Sequence, residues 1–178
     1  IGARPTYGLA VTELAKHHED LMVVTGDVSE SAGLGRFRKL FPEKFVDVGI
    51  AEQNMIGVAA GLAGNGYNVF TVTFAPFQTL RCLDQIKVNL AYSNIKVTMA
   101  GLASGLINGP LGNTHCCIED LGALRSIPNL TILSPADGVG VVKAVFAAAE
   151  FDRPVYIRLT GGSNNPIVYQ NDINFKIR

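Results

Sequence analysis

Four short stretches of this chain carry the side chains from which chemistry could be built. In Gly49-Ile50-Ala51-Glu52-Gln53 a carboxylate opens an apolar helix. Read alone, Glu52 there stabilises the helix dipole. In Thr73-Phe74-Ala75-Pro76-Phe77 two aromatic rings sit at a strand end. Read alone, they are ordinary core packing. Gly109-Pro-Leu-Gly-Asn-Thr-His115 sets an imidazole on a glycine-rich loop, the residue type that moves protons near neutral pH. Gly26-Asp27 places a carboxylate in a turn after a strand. Each feature alone has an ordinary structural use, and only the set in its order carries weight.

Several chemistries are excluded. There is no Gly-Lys-Ser/Thr, so no nucleoside-triphosphate loop, and no Gly-x-Ser-x-Gly elbow for a hydrolase. The glycines of Gly61-Leu-Ala-Gly-Asn-Gly66 read as a helix end. Cys82, Cys116 and Cys117 are odd in number and lack metal-ligand spacing, which fits reduced thiols in a cytoplasmic setting.

The elements that must position these residues alternate. Helices are predicted over 8–18, 52–63, 78–92, 118–126 and 138–151, with a short one within 30–41. Strands are predicted over 21–24, 45–48, 68–73, 95–100, 130–133 and 154–159. Strands separated by helices at this spacing specify an α/β fold, a three-layer α/β/α arrangement around a mainly parallel sheet. Ligands on such folds sit at the carboxyl ends of the strands. All four chemical stretches fall there. The glycines and alanines of the helix after Glu52 suit close packing against a neighbouring backbone.

Length and composition agree with one domain. The chain has 178 residues, 48% of them hydrophobic and 17% charged, enough for a core and too little charge for disorder. Fifteen basic side chains balance fifteen acidic ones, which argues against a nucleic-acid binder. No apolar run reaches the roughly 18 residues of a membrane helix, and no secretion signal is visible. The chain opens on Ile1 rather than Met, as a piece of a longer protein would.

Taken in order, the motifs resemble the pyrimidine-binding (Pyr) domain of the transketolase group of thiamine diphosphate enzymes. The resemblance runs from Asp27 to about Leu159. It rests on Phe45-Val-Asp-Val-Gly-Ile-Ala-Glu-Gln-Asn-Met55, Phe74-x-x-Phe77 and Arg81-Cys-Leu-Asp-Gln-Ile86. Gly112-x-Thr-His-x-x-Ile-Glu-Asp-Leu121, Arg125-Ser-Ile-Pro-Asn-Leu130 and Ser134-Pro-Ala-Asp137 complete it. It implies such a domain over residues 1–160 and a linker over 161–178 toward a missing C-terminal domain.

The resemblance also implies roles. Glu52 would meet N1′ of the cofactor's aminopyrimidine and, kept protonated by a dry surround, activate it for transfer of a two-carbon ketol unit from a ketose to an aldose. Phe74 and Phe77 would wall the ring, with Ile50 beside them. Asp27 would lie near the thiazolium, His115 would face the sugar oxygens, and Ser31 would contact a substrate phosphate. The diphosphate and Mg²⁺ would be held mainly by another domain or chain, because the family's Gly-Asp-Gly motif is absent; here Val28 follows Gly26-Asp27. That partner is a diphosphate-binding N-terminal section, in a homodimer or heterotetramer. Leu111, Ala103, Gly161 and Cys116 stand where transketolases carry polar sugar-binding residues, which points to a specialised ketose, with Arg36 or Arg38 as substitute phosphate contacts. The alternatives are a 1-deoxy-D-xylulose-5-phosphate synthase, a 2-oxo acid dehydrogenase β-subunit, or a non-catalytic partner subunit. An arginine usual in the first is replaced by Ser104.

Overall fold

The computed structural model describes residues 1–162 and 164–177. Six strands form one parallel sheet: β1 (Leu21–Thr25), β2 (Phe45–Asp47), β3 (Asn68–Phe74), β4 (Val97–Ser104), β5 (Thr131–Leu133) and β6 (Val155–Thr160). Their order across the sheet is β2-β1-β3-β4-β6-β5. β3 and β4 lie at its centre, and all eight residues of β4 are buried. A strand covered on both faces needs apolar or small residues at every position, and Val-Thr-Met-Ala-Gly-Leu-Ala-Ser supplies them.

Two cores flank the sheet. On one face α1 (Ala3–Leu14) and α7 (Gly138–Glu150) bury Tyr7, Val11, Leu14, Val141 and Val145 against Phe70, Val72 and Ile157. On the other, α3 (Glu52–Gly64) and a helical segment near Leu83–Tyr92 bury Met55, Ile56, Ile86 and Leu90 against Val69, Met99 and Tyr156. These are the three layers expected. Two short helices, α2 (Gly35–Leu40) and α6 (Asp120–Leu124), add Phe37 to the first core and Leu124 to the second.

Three elements depart from the sequence expectation, each for a local reason. α1 begins at Ala3, not near Gly8; Pro5 falls in its first turn, where the missing N–H costs nothing. The helix expected over 78–92 is broken. A short α4 (Ala75–Gln78) opens with Pro76, the chain turns through Thr79–Cys82, and α5 (Leu83–Gln85) runs on into a π-helical stretch, Ile86–Tyr92. The Thr79 hydroxyl donates back to the Ala75 carbonyl at 2.7 Å and the Cys82 thiol to the Phe77 carbonyl at 3.1 Å, so side chains compete for helix acceptors. β4 continues past Ala100 to Ser104 through a register shift after Gly101, with Ala103 at φ 52°. Gly101 permits this approach: a Cβ there would lie 2.3 Å from the Tyr156 hydroxyl.

The segment after β6 folds back on the domain. Asp137 caps α7, accepting from the Gly140 N–H at 2.9 Å through Oδ1. Its Oδ2 accepts from the backbone N–H groups of Val168 (2.9 Å) and Tyr169 (2.8 Å). Within the expected 161–178 linker, Ser163 and Arg178 lie outside the described residues. Burial alone would raise the Asp137 carboxyl, but these backbone donors outweigh it and hold it below the ordinary 3.8. A carboxyl depressed in the folded state stabilises above its unfolded pKa, and the contribution fades as pH falls below about 4. Asp137→Ala is expected to cost about 1 kcal/mol from the lost cap and to speed proteolysis of the segment after Gly161. Urea midpoints and limited chymotrypsin digestion, which cuts at Tyr169 and Phe175, check both, and unchanged cleavage would show that Asp137 does not hold this segment.

Candidate active site

Glu52, the first residue of α3, is buried, with 3% of its surface exposed. Two glycines place it. Gly49, at φ 72°, turns the chain from β2 into the helix. Gly26, after β1, leaves room for the carboxylate arm, since a Cβ there would meet Glu52 Cγ at 3.3 Å. Asp47 ties the two strand ends together: its Oδ1 accepts from the N–H groups of Asp27 (3.0 Å) and Gly49 (2.9 Å). Asp27 itself takes φ 59° and leaves its side chain exposed at this junction.

The resemblance implies a dry surround that keeps Glu52 protonated. The structure differs: Arg81, from the Thr79–Cys82 turn, donates from Nη1 to Glu52 Oε2 at 2.7 Å. The broken helix causes this, because the turn swings Arg81 back toward the head of α3. Its guanidinium carbon also lies 4.0 Å from the centroid of the Phe77 ring, a cation–π contact. Its backbone carbonyl accepts from Gln53 Nε2 at 3.0 Å. Ile50, Ala51, Glu52, Gln53, Asn54 and Arg81 line a cleft of about 290 Å³. Burial raises the thiol of the adjoining Cys82 to about 12, and the nearby Glu52 adds to the rise.

Beside this pair three rings meet edge to face. Phe74 and Phe77 are 6.3 Å apart between centroids, and His115 lies 5.8 Å from Phe74 and 5.2 Å from Phe77. The Thr114 hydroxyl pairs with His115 Nδ1 at 2.9 Å, while Nε2 has no hydrogen bond among the described residues. His115 reaches this place because its loop is pinned at both ends. Gly105 and Cys117 exchange backbone hydrogen bonds of 2.7 and 2.8 Å, and a turn at Gly112 (φ 77°) closes the loop.

A buried network supports that pin. Asp120 Oδ2 accepts from Arg158 Nε at 2.8 Å and from the Tyr156 hydroxyl at 3.0 Å, and the Ser104 hydroxyl lies 3.3 Å from Tyr156 Oη. Asp120 is fully buried. Burial, and then the Asp120 charge, push the Tyr156 phenol well above its ordinary range. The network joins the end of β4, β6 and the helix that follows the His115 loop.

The structure thus brings Glu52, Phe74, Phe77 and His115 to one edge of the sheet, with Arg81 bridging Glu52 and Phe77. The family model "Transketolase, pyrimidine binding domain" matches residues 1–165. The chain belongs to the transketolase family. It is similar to a subunit of the apulose-4-phosphate transketolase of Phocaeicola vulgatus, 40% identical over 97% of this chain and 55% of that protein. It is also similar to the 6-deoxy-6-sulfo-D-fructose transketolase subunit SqwH of Clostridium sp. strain MSTE9, 36% identical over 88% of this chain and 48% of that protein. A solved split gene transketolase, described as an inactive beta4 tetramer, superposes with a TM-score of 0.88 at 39% identity, covering 99% of this chain and 56% of that one. The chain spans about half the length of these transketolase relatives. They favour a transketolase-like subunit over the decarboxylating and non-catalytic alternatives.

The remaining transketolase-derived expectations are placed as follows. Ile50 stands at the cleft mouth, 78% exposed. Ser31 lies exposed on the Val28–Leu34 turn, which packs on α1, and no contact among the described residues joins it to the ring cluster. Arg38 bonds Ser29 and Glu30 instead. Ala103 is buried at the β4 bulge, and Leu111 is exposed on the His115 loop. Gly161, at φ 87°, faces Asn165, whose Oδ1 would lie 2.3 Å from a Cβ, so a side chain does not fit there unless Asn165 moves. Sequence reasoning gave no role to Arg81, Asp47 or Thr114; all three lie inside the family motifs, without a signal for what they touch. Asp120→Asn is expected to cost about 3 kcal/mol, because it leaves the Arg158 charge uncompensated. Urea denaturation checks this, and a wild-type midpoint would show that the network does not support the loop.

Proposed function

We propose that this chain supplies the aminopyrimidine side of a thiamine diphosphate site in an enzyme that transfers a two-carbon ketol unit from a ketose to an aldose. The observation that carries this reading is the buried Glu52 carboxylate at the head of α3, beside the Phe74, Phe77 and His115 rings, in a transketolase pyrimidine-binding domain. The donor set suits the ring end of the cofactor: one carboxylate for a ring nitrogen and two phenylalanine rings to border a flat heteroaromatic. The diphosphate and Mg²⁺ need oxygen ligands and N–H donors. Among the described residues no three His, Cys, Asp or Glu side chains gather to hold a metal ion. In this reading a diphosphate-binding N-terminal section, from another chain or domain, provides them.

When bound, the thiamine group supplies the carbon nucleophile and electron sink that split and rejoin the sugar chains. The protein residues position and protonate. Glu52 holds a proton at N1′ of the ring. Phe74 and Phe77 keep water from that contact, and Ile50 adds apolar surface at the cleft mouth. Asp27 lies on the thiazolium side. His115, with Nδ1 fixed by Thr114, offers Nε2 to the sugar oxygens, giving or taking a proton as the carbon–carbon bond breaks or forms.

The partner would cover an apolar rim around the cleft, which includes the exposed Ile50, Leu80, Leu106, Leu111 and Ile118. A second copy would pack on α3, where Gly57, Gly61 and Gly64 have open space at the Cβ position, giving a homodimer or heterotetramer. Residues 1–160 would form the domain and 161–178 the linker to a C-terminal one. Ala103, Leu111, Cys116 and Gly161 offer a sugar few polar contacts, so the preferred substrate is a modified ketose of a specialised pathway. Three free thiols suit a reducing cytoplasm, and no helix among the described residues is long and apolar enough to cross a membrane.

The test uses the chain assembled with its diphosphate-binding partner. Calorimetry should show saturable binding of thiamine diphosphate with Mg²⁺, and a ketose screen should show ketol transfer without carbon dioxide release. Glu52→Gln should keep the fold and lose about a hundredfold or more in kcat. An assembled complex that binds no thiamine diphosphate would sink the proposal.

A further inference from the structure

We propose that Arg81 is the resident occupant of the heteroaromatic slot: it fills the cofactor ring's place between Glu52 and Phe77 and must swing out for the ring to enter. This inference rests on the cofactor reading above and adds a gate to that same site.

The geometry points to it through two contacts made by one planar group. A flat heterocycle bound here would need an apolar ring against it and a carboxylate facing its nitrogen. The Arg81 guanidinium already has both. It lies 4.0 Å from the Phe77 ring centroid and donates an N–H to Glu52 Oε2 at 2.7 Å. Guanidinium is planar and delocalised, so it stacks on aromatic faces and meets carboxylates edge-on as a protonated heterocycle does. The two groups therefore compete for the same faces.

Glu52 has a reason to hold a cation. It is 3% exposed, and a buried carboxylate without a partner is costly. Among the described residues Arg81 is its one ion-pair partner. Leaving is inexpensive for Arg81, whose side chain is 42% exposed and returns to water on a short swing. Its backbone need not follow. The carbonyl stays bonded to Gln53 Nε2 at 3.0 Å, and the N–H donates to the Pro76 carbonyl at 3.2 Å. A fixed backbone under a mobile side chain is what a gate requires. A proton taken up from water and shared between the carboxylate and the ring nitrogen would then replace the charge that departs.

A site closed by its own side chain binds its ligand more weakly by the fraction of time it stands open. Removing the Arg81 side chain should then tighten cofactor binding. If the closed form holds nine-tenths of the population, the gain is about tenfold.

The experiment measures thiamine diphosphate binding by calorimetry, in the complex assembled with the diphosphate-binding partner and with Mg²⁺ present, for wild type, Arg81→Ala and Arg81→Gln. Melting temperature is followed with and without cofactor. Both variants should bind about tenfold more tightly than wild type. Both should melt lower than wild type without cofactor, and the gap should narrow with it. Arg81→Gln keeps a neutral donor within reach of Glu52 and remains usable if Arg81→Ala fails to fold. Equal or weaker binding by the variants, with wild type binding normally, would overturn the gate and make Arg81 a residue that steadies Glu52 for the ring. Absence of binding by all three proteins would overturn the cofactor reading, and the gate with it.

Discussion

Taking a carboxylate out of water is costly, and the residues around Glu52 are arranged to bear it. The effective penalty for one buried ion is several kcal/mol. Three features offset it. The side chain sits at the first turn of α3, where the helix dipole favours negative charge. Arg81 supplies a charge-assisted hydrogen bond at 2.7 Å. Gly26 has no side chain to crowd the Glu52 arm, which a Cβ there would meet at 3.3 Å. Changing any one of these disturbs the others, since Arg81 is itself seated on Phe77 and fastened through Gln53.

The sheet makes this arrangement possible. Parallel strands end together, so the loops after β1, β2, β3 and β4 converge on one edge while the buried strand bodies carry the load. At that edge the chain departs repeatedly from regular geometry. Asp27 and Ala103 take positive φ, β4 shifts register after Gly101, and the helix after β3 breaks at Thr79. Strain of this kind persists only where surrounding structure over-determines it. The Asp47 hydrogen bonds do so on one side, and the Asp120, Tyr156 and Arg158 network does so on the other.

Strands and long helices were legible because their hydrophobic period is set by burial, and burial is what the sheet imposes. Leu21–Thr25, Asn68–Phe74 and Val155–Thr160 each read within a residue or two of their observed limits. Around the site, Glu52, Phe74, Phe77 and His115 stood out because their types and order matched a family pattern, and the fold brings them to one edge. The failures share a cause. The apolar positions of 78–92 keep a helical stripe across a break made by Pro76, Thr79 and Cys82, so periodicity could not reveal the turn. The partner of Glu52 was hidden for the same reason: Arg81 is 29 residues away, and only the turn sends it there. The extension of β4 depended on a contact across the sheet, the Tyr156 hydroxyl over Gly101, which no local signal carries.

Electrostatics also accounts for what this surface lacks. A diphosphate is strongly anionic, and like charges a few ångströms apart raise each other's cost of staying ionised. A site that buried Glu52 and gathered diphosphate oxygens on the same few residues would oppose itself, unless cations were crowded in to compensate. In this structure the cation beside Glu52 is paired with it. The exposed side chains of the surrounding loops are apolar, as Ile50, Leu80, Leu106 and Leu111, or acidic, as Asp27 and Asp47. Such a surface can receive an uncharged flat ring and the dry face of another domain, but it offers a polyanion little reason to stay. In the proposed reading, separating the ring-facing carboxylate from the anion-facing groups onto two bodies would resolve the conflict, and the contact between those bodies would be the place where the reaction occurs.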